Sequence, residues 1–298
     1  MKRYLLFIAL LGCGRVHTVF RGATSVFRGS EPAPVHDSAE RRDDVRLSVQ
    51  WVGHATTLIQ MDDRMILTDP AITPTVGLLS KRLVDPGVDP IPAVDLAVIS
   101  HMHFDHLSYA SLELLQERIT LLAIPDGGFP YLPNFAFEAR SSVAWSTFEH
   151  AEMRITAVPA AHGGWRYGVD AAWANAACGW VVEYHGLSVY FAGDTGYDEA
   201  MFRAIGKRFP SLDVAILPIA PMEPHKLMGQ WHMNPAEALH GLSAVGAKLM
   251  IPTHYDTFIN SLDSVGTAIP TLIDAAGSAQ AAKLRVLRIG ERIVLIPR

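Results

Sequence analysis

The feature that most constrains this chain is His101-Met102-His103-Phe104-Asp105-His106, placed where the apolar run Leu96-Ala97-Val98-Ile99 ends and a helix-like segment opens at Ser108. Four metal-competent side chains within six residues exceed what packing asks of a strand end. Imidazole and carboxylate together suit Zn²⁺ or another first-row ion. An extended start points His101 and His103 to the same side, because strand side chains alternate with period 2. These two then grip one metal, while Asp105 and His106, carried on the following turn, reach a second ion or the water between two ions. A polar helix cap that happens to be rich in His is the competing explanation.

The remaining candidates also fall at strand ends. β-rich runs predict strands at 47–51, 57–61 and 65–68, the last two joined by Asp62-Asp63-Arg64 as in a hairpin. Further strands are expected at 95–100, 121–124, 154–158, 179–184, 188–192, 213–217, 248–252, 284–287 and 292–296, with helices over 108–117, 198–208, 235–245 and 264–276. Ser108 caps the first helix, and Asn234 with Pro235 opens the third. On this map His162 follows the strand ending at Val158, in a turn with Gly163 and Gly164 that lets the backbone bend toward a ligand. Asp194 follows Ala192 inside Gly193-Asp194-Thr195-Gly196, and His254 follows the strand ending at Pro252. With the opening cluster these make seven ligands, enough for two ions, and Asp194 is able to bridge because a carboxylate has two oxygens. Two halves, each mixing strands and then helices, fit two sheets packed between outer helices.

Composition narrows the class of partner. At 298 residues, with 49% hydrophobic and 18% charged content, the chain buries a sizeable core, and its net charge of −5 argues against nucleic acid as the main partner. Lys2-Arg3, an apolar run from Tyr4 to Leu11 and then Gly12-Cys13 read as an export signal too short to span a bilayer. The ending Leu10-Leu11-Gly12-Cys13 resembles a bacterial lipobox, which makes 1–12 a signal peptide and Cys13 the lipidated first residue of an exported, membrane-anchored protein of the cell envelope. A plain signal peptide cut elsewhere and a cytosolic protein with an apolar start are the alternatives. Residues 13–44 mix charge with Pro and carry no periodicity, as a tether or loosely packed arm does, leaving 45–298 as the folded domain. Cys178, in an apolar strand, reads as a small buried hydrophobe. The long irregular stretch from Ala71 to Pro92 is either a cover for the site, or a contact with lipid, or an extended connector.

The order His101-x-His103-x-Asp105-His106, His162, Asp194, His254 resembles the metallo-β-lactamase-fold hydrolases over residues 47 to 296. Trp51-Val52-Gly53-His54-Ala55-Thr56, Leu67-Thr68-Asp69-Pro70, Phe191 to Tyr197, Ile205 to Phe209 and His232 to Ala238 resemble the branch containing N-acylphosphatidylethanolamine-hydrolysing phospholipase D. The resemblance implies an α/β, four-layer αββα sandwich with the metal site at the edge between the sheets. It implies that His101, His103 and His162 bind one Zn²⁺ and Asp105, His106 and His254 the other, with Asp194 shared, other first-row metals being possible. The pair of ions would hold a bridging hydroxide, which Asp105 helps to orient, for attack on phosphorus or on a carbonyl carbon. By the same resemblance His232 lies near the substrate, to stabilise charge or protonate the leaving group, or else is an outer or surface His. His54, Thr195 and Tyr255 are expected to support ligands from behind. Trp165, Tyr167, Trp173 and Trp180 are core or a substrate wall. The expected function is a zinc-dependent phosphodiesterase of phospholipase D type acting on an N-acyl phosphatidylethanolamine or a related phospholipid. A lactonase or carboxylic ester hydrolase and a non-catalytic metal-bearing binding protein are the alternatives.

Overall fold

Alternation along the strands decides the architecture. Leu96 and Val98 enter one buried cluster, while their neighbours Ala97 and Ile99 enter another; Leu121 and Ala123 divide from Leu122 and Ile124 in the same way. A sheet with two apolar faces must be covered on both, and the computed structural model shows how. It describes residues 29–77, 80–86, 91–172, 174–259 and 261–298. The expected signal peptide, Cys13, the first part of the arm and Trp173 lie outside the described residues.

The first sheet is built from β1 (Val45–Gly53), β2 (Thr56–Met61) and β3 (Arg64–Thr68), then, past a two-stranded ribbon of β4 (Thr75–Val76) and β5 (Ser80–Lys81), from β6 (Val94–Val98), β7 (Ile119–Pro125) and β8 (Glu138–Ser142). The second runs from β9 (Thr147–His150) through β10 (Met153–Val158), β11 (Gly179–Tyr184), β12 (Leu187–Phe191) and β13 (Val214–Pro218) to β14 (Leu249–Thr253), before β15 (Arg292–Pro297) returns to the first beside β1. Antiparallel hairpins make one side of each sheet; β3, β6, β7 and β8, and likewise β12, β13 and β14, run parallel. Parallel strands need crossovers, and here helices supply several of them. Helix α1 (Tyr109–Leu115) carries Leu112 and Leu115 onto the outer face of the first sheet. Helices α2 (Glu199–Arg208), α3 (Pro235–Val245) and α4 (Ala268–Ala275) supply Phe202, Ile205, Leu239, Leu242 and Leu272 to the larger core, which both sheets share. The result is the αββα sandwich.

Local chemistry set the helix ends as expected. Ser108 accepts from Ser111 N, Asp198 from Met201 N, and Asn234 and Glu237 form a reciprocal capping box ahead of Pro235. Four expectations need correction. Residues 284–287 are no strand: Leu284 makes a single bridge to Met250, with Met250 N bonded to Lys283 O and Arg285 N to Met250 O, and the pairing does not extend further. β8 and β9 were missed, since Glu138–Ser142 and Thr147–His150 carry polar residues typical of sheet edges. The fourth helix starts at Ala268, four residues later than expected. The arm is not loose over its described part: Ala33 is buried, Glu31 pairs with Val84, and Asp37 bonds Gly290 O and Arg292 N. The loop after Asp69 is likewise held, by the buried Arg82, whose guanidinium donates to Ala71 O (2.8 Å) and Val52 O (2.7 Å). Among the described residues no helix is long and apolar enough to cross a membrane.

Candidate metal centre

Parallel strands end together, and ligand sites of open α/β sheets lie beyond their carboxyl ends. β3 delivers Asp69, β6 delivers Ser100 and His101, β12 delivers Asp194, and β14 delivers His254. The turn after β6 then folds His103, Asp105 and His106 back over the strand end, with Leu107 N and His106 N bonded to His103 O. An extended run does not carry His103, as the sequence had implied: residues 102–106 are turn, and it is the turn that brings the two imidazoles together. Gly193, at φ +61, lets the Asp194 turn pass over Ser100, where a Cβ would lie 2.2 Å from the serine Cβ. His54, Asp69 and His254 also hold left-handed backbone (φ 57, 34 and 66), a strain that side-chain-bearing residues keep only where the surroundings demand it.

All seven expected ligands converge. His101 Nε2 lies 2.8 Å from His103 Nδ1, and His162 Nε2 lies 3.4 Å from the same atom. Asp194 sits at the centre: its Oδ2 is 3.3 Å from His106 Nε2, 3.9 Å from His101 Nε2 and 4.0 Å from His162 Nε2, and its Oδ1 is 3.0 Å from His254 Nε2. His101, His103 and His162 offer one triad of donor atoms within 4.8 Å of one another; Asp105, His106 and His254 offer a second, which His54 joins. His232 brings Nδ1 to 3.6 Å from Asp194 Oδ2.

The group fits a cation. His103 Nε2, His106 Nε2, Asp194 Oδ1, His232 Nδ1 and both nitrogens of His254 are buried without a hydrogen-bond partner. Orphaned donors and acceptors at this density are costly in a folded protein, and a divalent ion satisfies imidazole nitrogens and carboxylate oxygens alike. The electrostatics agree. Burial and the facing His254 hold the His54 imidazole down at about 3, and burial with His162 holds His103 at about 3, which leaves both neutral, the form that ligates or supports metal. His101 lies well below its ordinary value for the same reason, burial first. Burial acts against charge on Asp105 and Asp194, yet the imidazoles around them keep both well below the usual carboxylate range: His106 and His54 for Asp105, and His254 and His106 for Asp194.

Residues behind the ligands fix them. Asp69, fully buried, accepts from Ser100 N (2.6 Å) and Ser100 Oγ (2.6 Å), and its Oδ2 lies 2.7 Å from His106 Nδ1, so that His106 turns Nε2 inward. Ser100 Oγ is also 3.0 Å from His101 Nδ1, and Trp231 O is 2.9 Å from His162 Nδ1. Neither Asp69 nor Ser100 has a role that sequence reasoning found; the one signal was Leu67-Thr68-Asp69-Pro70 at a strand end. His54 Nε2 holds Asp105 Oδ2 at 3.0 Å. Thr195 Oγ1 accepts from Ala161 N and donates to Gly196 O, tying the His162 turn to the Asp194 turn. Tyr255 touches no ligand side chain with its hydroxyl: it donates to Leu287 O and stacks on Trp51, supporting the strand end that carries His254. Of the aromatics after His162, Trp180 is core, with Nε1 on Ile99 O, whereas Trp165 meets the His103 ring edge-on at 4.3 Å and Tyr167 is exposed.

Comparison with known proteins bears on this geometry. Residues 64–255 match the model of the beta-lactamase superfamily domain. An uncharacterized protein of Mycobacterium tuberculosis is 30% identical over 269 residues, covering 85% of this chain and 70% of that protein. The N-acyl-phosphatidylethanolamine-hydrolyzing phospholipase D 1 of Caenorhabditis elegans is 29% identical over 249 residues, 76% of this chain and 68% of that protein. Among solved structures, a metallo hydrolase of the archaeon Ignicoccus hospitalis superposes with a TM-score of 0.63 at 24% identity, covering 83% of this chain and 97% of its own, a likeness of fold.

Proposed function

The chain belongs to the metallo-β-lactamase superfamily of metal-dependent hydrolases, and from that premise we propose that it is a di-zinc phosphodiesterase of phospholipase D type, acting on an N-acyl phosphatidylethanolamine or a related phospholipid. The name of the C. elegans relative supports the substrate class. The observation that carries the lipid reading is the rim of the site. Phe104 (40% exposed) follows the ligand His103, Tyr167 (58%) lies against Phe104 with ring centroids 6.1 Å apart, and Trp231 (37%) meets His162 through its carbonyl; this exposed aromatic border suits acyl chains.

Two divalent ions held by His101, His103 and His162, and by Asp105, His106 and His254, with Asp194 between, would lower the pKa of bound water and offset charge developing on a phosphoryl group. The chain's own part is positional and protonic. His54 holds Asp105 through Oδ2, the oxygen that also lies 3.9 Å from His106 Nε2, so that its carboxylate can orient the attacking water. His232 is kept neutral, burial holding it well below its ordinary pKa, so its ring N–H serves as a hydrogen-bond donor to the leaving oxygen. Export, with acylation at Cys13 in a bacterial envelope, would bring the site to its substrate. Cys13→Ser is then expected to move the protein from the membrane fraction to the soluble one, and unchanged partition would remove this part of the proposal.

The test is hydrolysis by the zinc-loaded protein of N-acyl phosphatidylethanolamine in vesicles, of a phosphodiester chromogen and of a lactone. Cleavage of both phosphodiesters is expected, with Asp105→Asn lower by about 10²-fold, the scale of a misoriented nucleophile. Lactone turnover without phosphodiester turnover would make the protein a lactonase. No turnover at all, with Asp105→Asn like wild type, would make it a metal-bearing binding protein.

A further inference from the structure

Arg166 is a buried cation, 3% exposed, that no carboxylate among the described residues partners, beside a site that collects cations. A guanidinium in such a place is expensive unless its geometry is used. Its Nη1 donates to Met102 O at 2.8 Å and to Leu107 O at 2.9 Å, the carbonyls on either side of His103-Phe104-Asp105-His106. Its plane lies between two rings, with Cζ 4.4 Å from the centroid of Phe104 and 3.9 Å from that of Tyr109. One side chain thus closes the ligand turn at both ends and is itself held by two aromatic residues of the same segment.

The backbone around Arg166 is fixed independently. Asp170 accepts from Arg166 N (2.9 Å) and Tyr167 N (2.8 Å), and Tyr131 Oη donates to it at 2.7 Å. Gly164 lies so close to residue 176 that a Cβ there would come within 2.1 Å of Ala176 N, and the next residue, Ala177, bridges to His101. Trp165 packs on His103, and His162 is itself a ligand. The 162–177 segment therefore reaches the His101–His106 turn through Arg166, through Trp165 and through Ala177. Of these contacts Arg166 alone fixes both ends of the turn.

We propose that Arg166 is a positioning residue of the metal centre, joining the His162 segment to the His101–His106 turn so that the donor atoms of both are preset for the ions. This rests on the reading of the cluster as a metal centre and not on which ester is cleaved. Lysine keeps the charge but has neither the planar fork nor the flat face for stacking, so Arg166→Lys should fall between wild type and Arg166→Gln.

The experiment is chelator competition with Co²⁺ and Zn²⁺, alongside the melting temperature of the metal-stripped proteins and the Co²⁺ absorption spectrum. Leu272→Ala, a core truncation in α4, serves as a variant destabilised for structural reasons alone. Arg166→Gln is expected to weaken metal binding by about 10–100-fold, as loss of a residue supporting ligands does, with a changed Co²⁺ spectrum and partial rescue in Arg166→Lys. Leu272→Ala should melt lower yet bind metal as wild type does. Should Arg166→Gln fail to fold, the same comparison runs on Arg166→Lys, where a loss of at least threefold with a changed spectrum supports the proposal. Binding within twofold of wild type and an unchanged spectrum, with only a lower melting temperature, would overturn it. Wild-type protein that binds no metal would overturn the metal centre and this inference together, a result distinct from a variant that binds as well as wild type.

Discussion

Asp69 controls the site without being among its donors. Its two oxygens take both hydrogen bonds that Ser100 can give and leave Oδ2 against His106 Nδ1, which fixes the direction in which that ring presents its other nitrogen. A carboxylate behind a ligating imidazole also raises the basicity of the ring. Asp69→Asn keeps the size and removes the charge. It should weaken metal binding by about 10–100-fold, measured by competition with a chelator, and should do so most for the ion that uses His106. Metal retention equal to wild type would deny Asp69 this part. The donors themselves were legible in the sequence because four of them crowd into His101–His106 and the other three are a His or Asp within a few residues of a strand end, a pattern that survives without knowledge of the fold. Asp69, Ser100 and Arg166 were not legible, since their roles depend on partners distant in sequence: His106 lies 37 residues from Asp69, and Met102 lies 64 from Arg166.

Elements were read best where packing leaves a strong imprint. Gly179–Tyr184 and Pro235–Val245 have the expected limits, the first a buried strand flanked by turn residues, the second bounded by Asn234 and by Gly246 in left-handed backbone. The edge strands β8 and β9 lacked that imprint, because a strand with solvent on one side can carry Glu, Arg and Ser. The described residues of the 162–177 segment have almost no regular structure, so their order must come from side chains, and Asp170 is the main one. Burial acts to raise its pKa, but the hydrogen bonds from Arg166 N, Tyr131 Oη and Tyr167 N outweigh this and bring it from 3.8 down to about 2. A carboxylate with a depressed folded-state pKa stabilises above its unfolded value and loses that contribution as pH falls through the folded one. The gap in melting temperature between wild type and Asp170→Asn should therefore be full at pH 6 and narrow between about pH 4 and pH 2, following the pKa just given. A gap independent of pH would mean that the charge of Asp170 does not hold the segment.

At the level of the whole molecule, the centre is the place where the two sheets meet through polar groups. The first sheet contributes the His101–His106 turn and Asp69; the second contributes His162, Asp194 and His254. Strand order across the sheets is not written in local sequence, as the return of β15 to β1 from the far end of the chain shows, and only the ligand pattern indicated that both halves face one site. Without ions, imidazoles and carboxylates confront each other across that junction, several of them without partners. Ions bound to the folded chain and not to the unfolded one stabilise the fold by about 4 kcal/mol when present at a thousandfold over their dissociation constant. For a domain of this size each kcal/mol corresponds to about 2–4 °C, so removing metal with a chelator should lower the melting temperature by about 10 °C, and restoring Zn²⁺ should recover it. Asp194→Ala removes the residue that faces both triads and should abolish that recovery, while Leu272→Ala should lower both melting temperatures and leave their difference unchanged. If complete removal of metal leaves the wild-type melting temperature where it was, the two sheets do not depend on the centre to hold their junction.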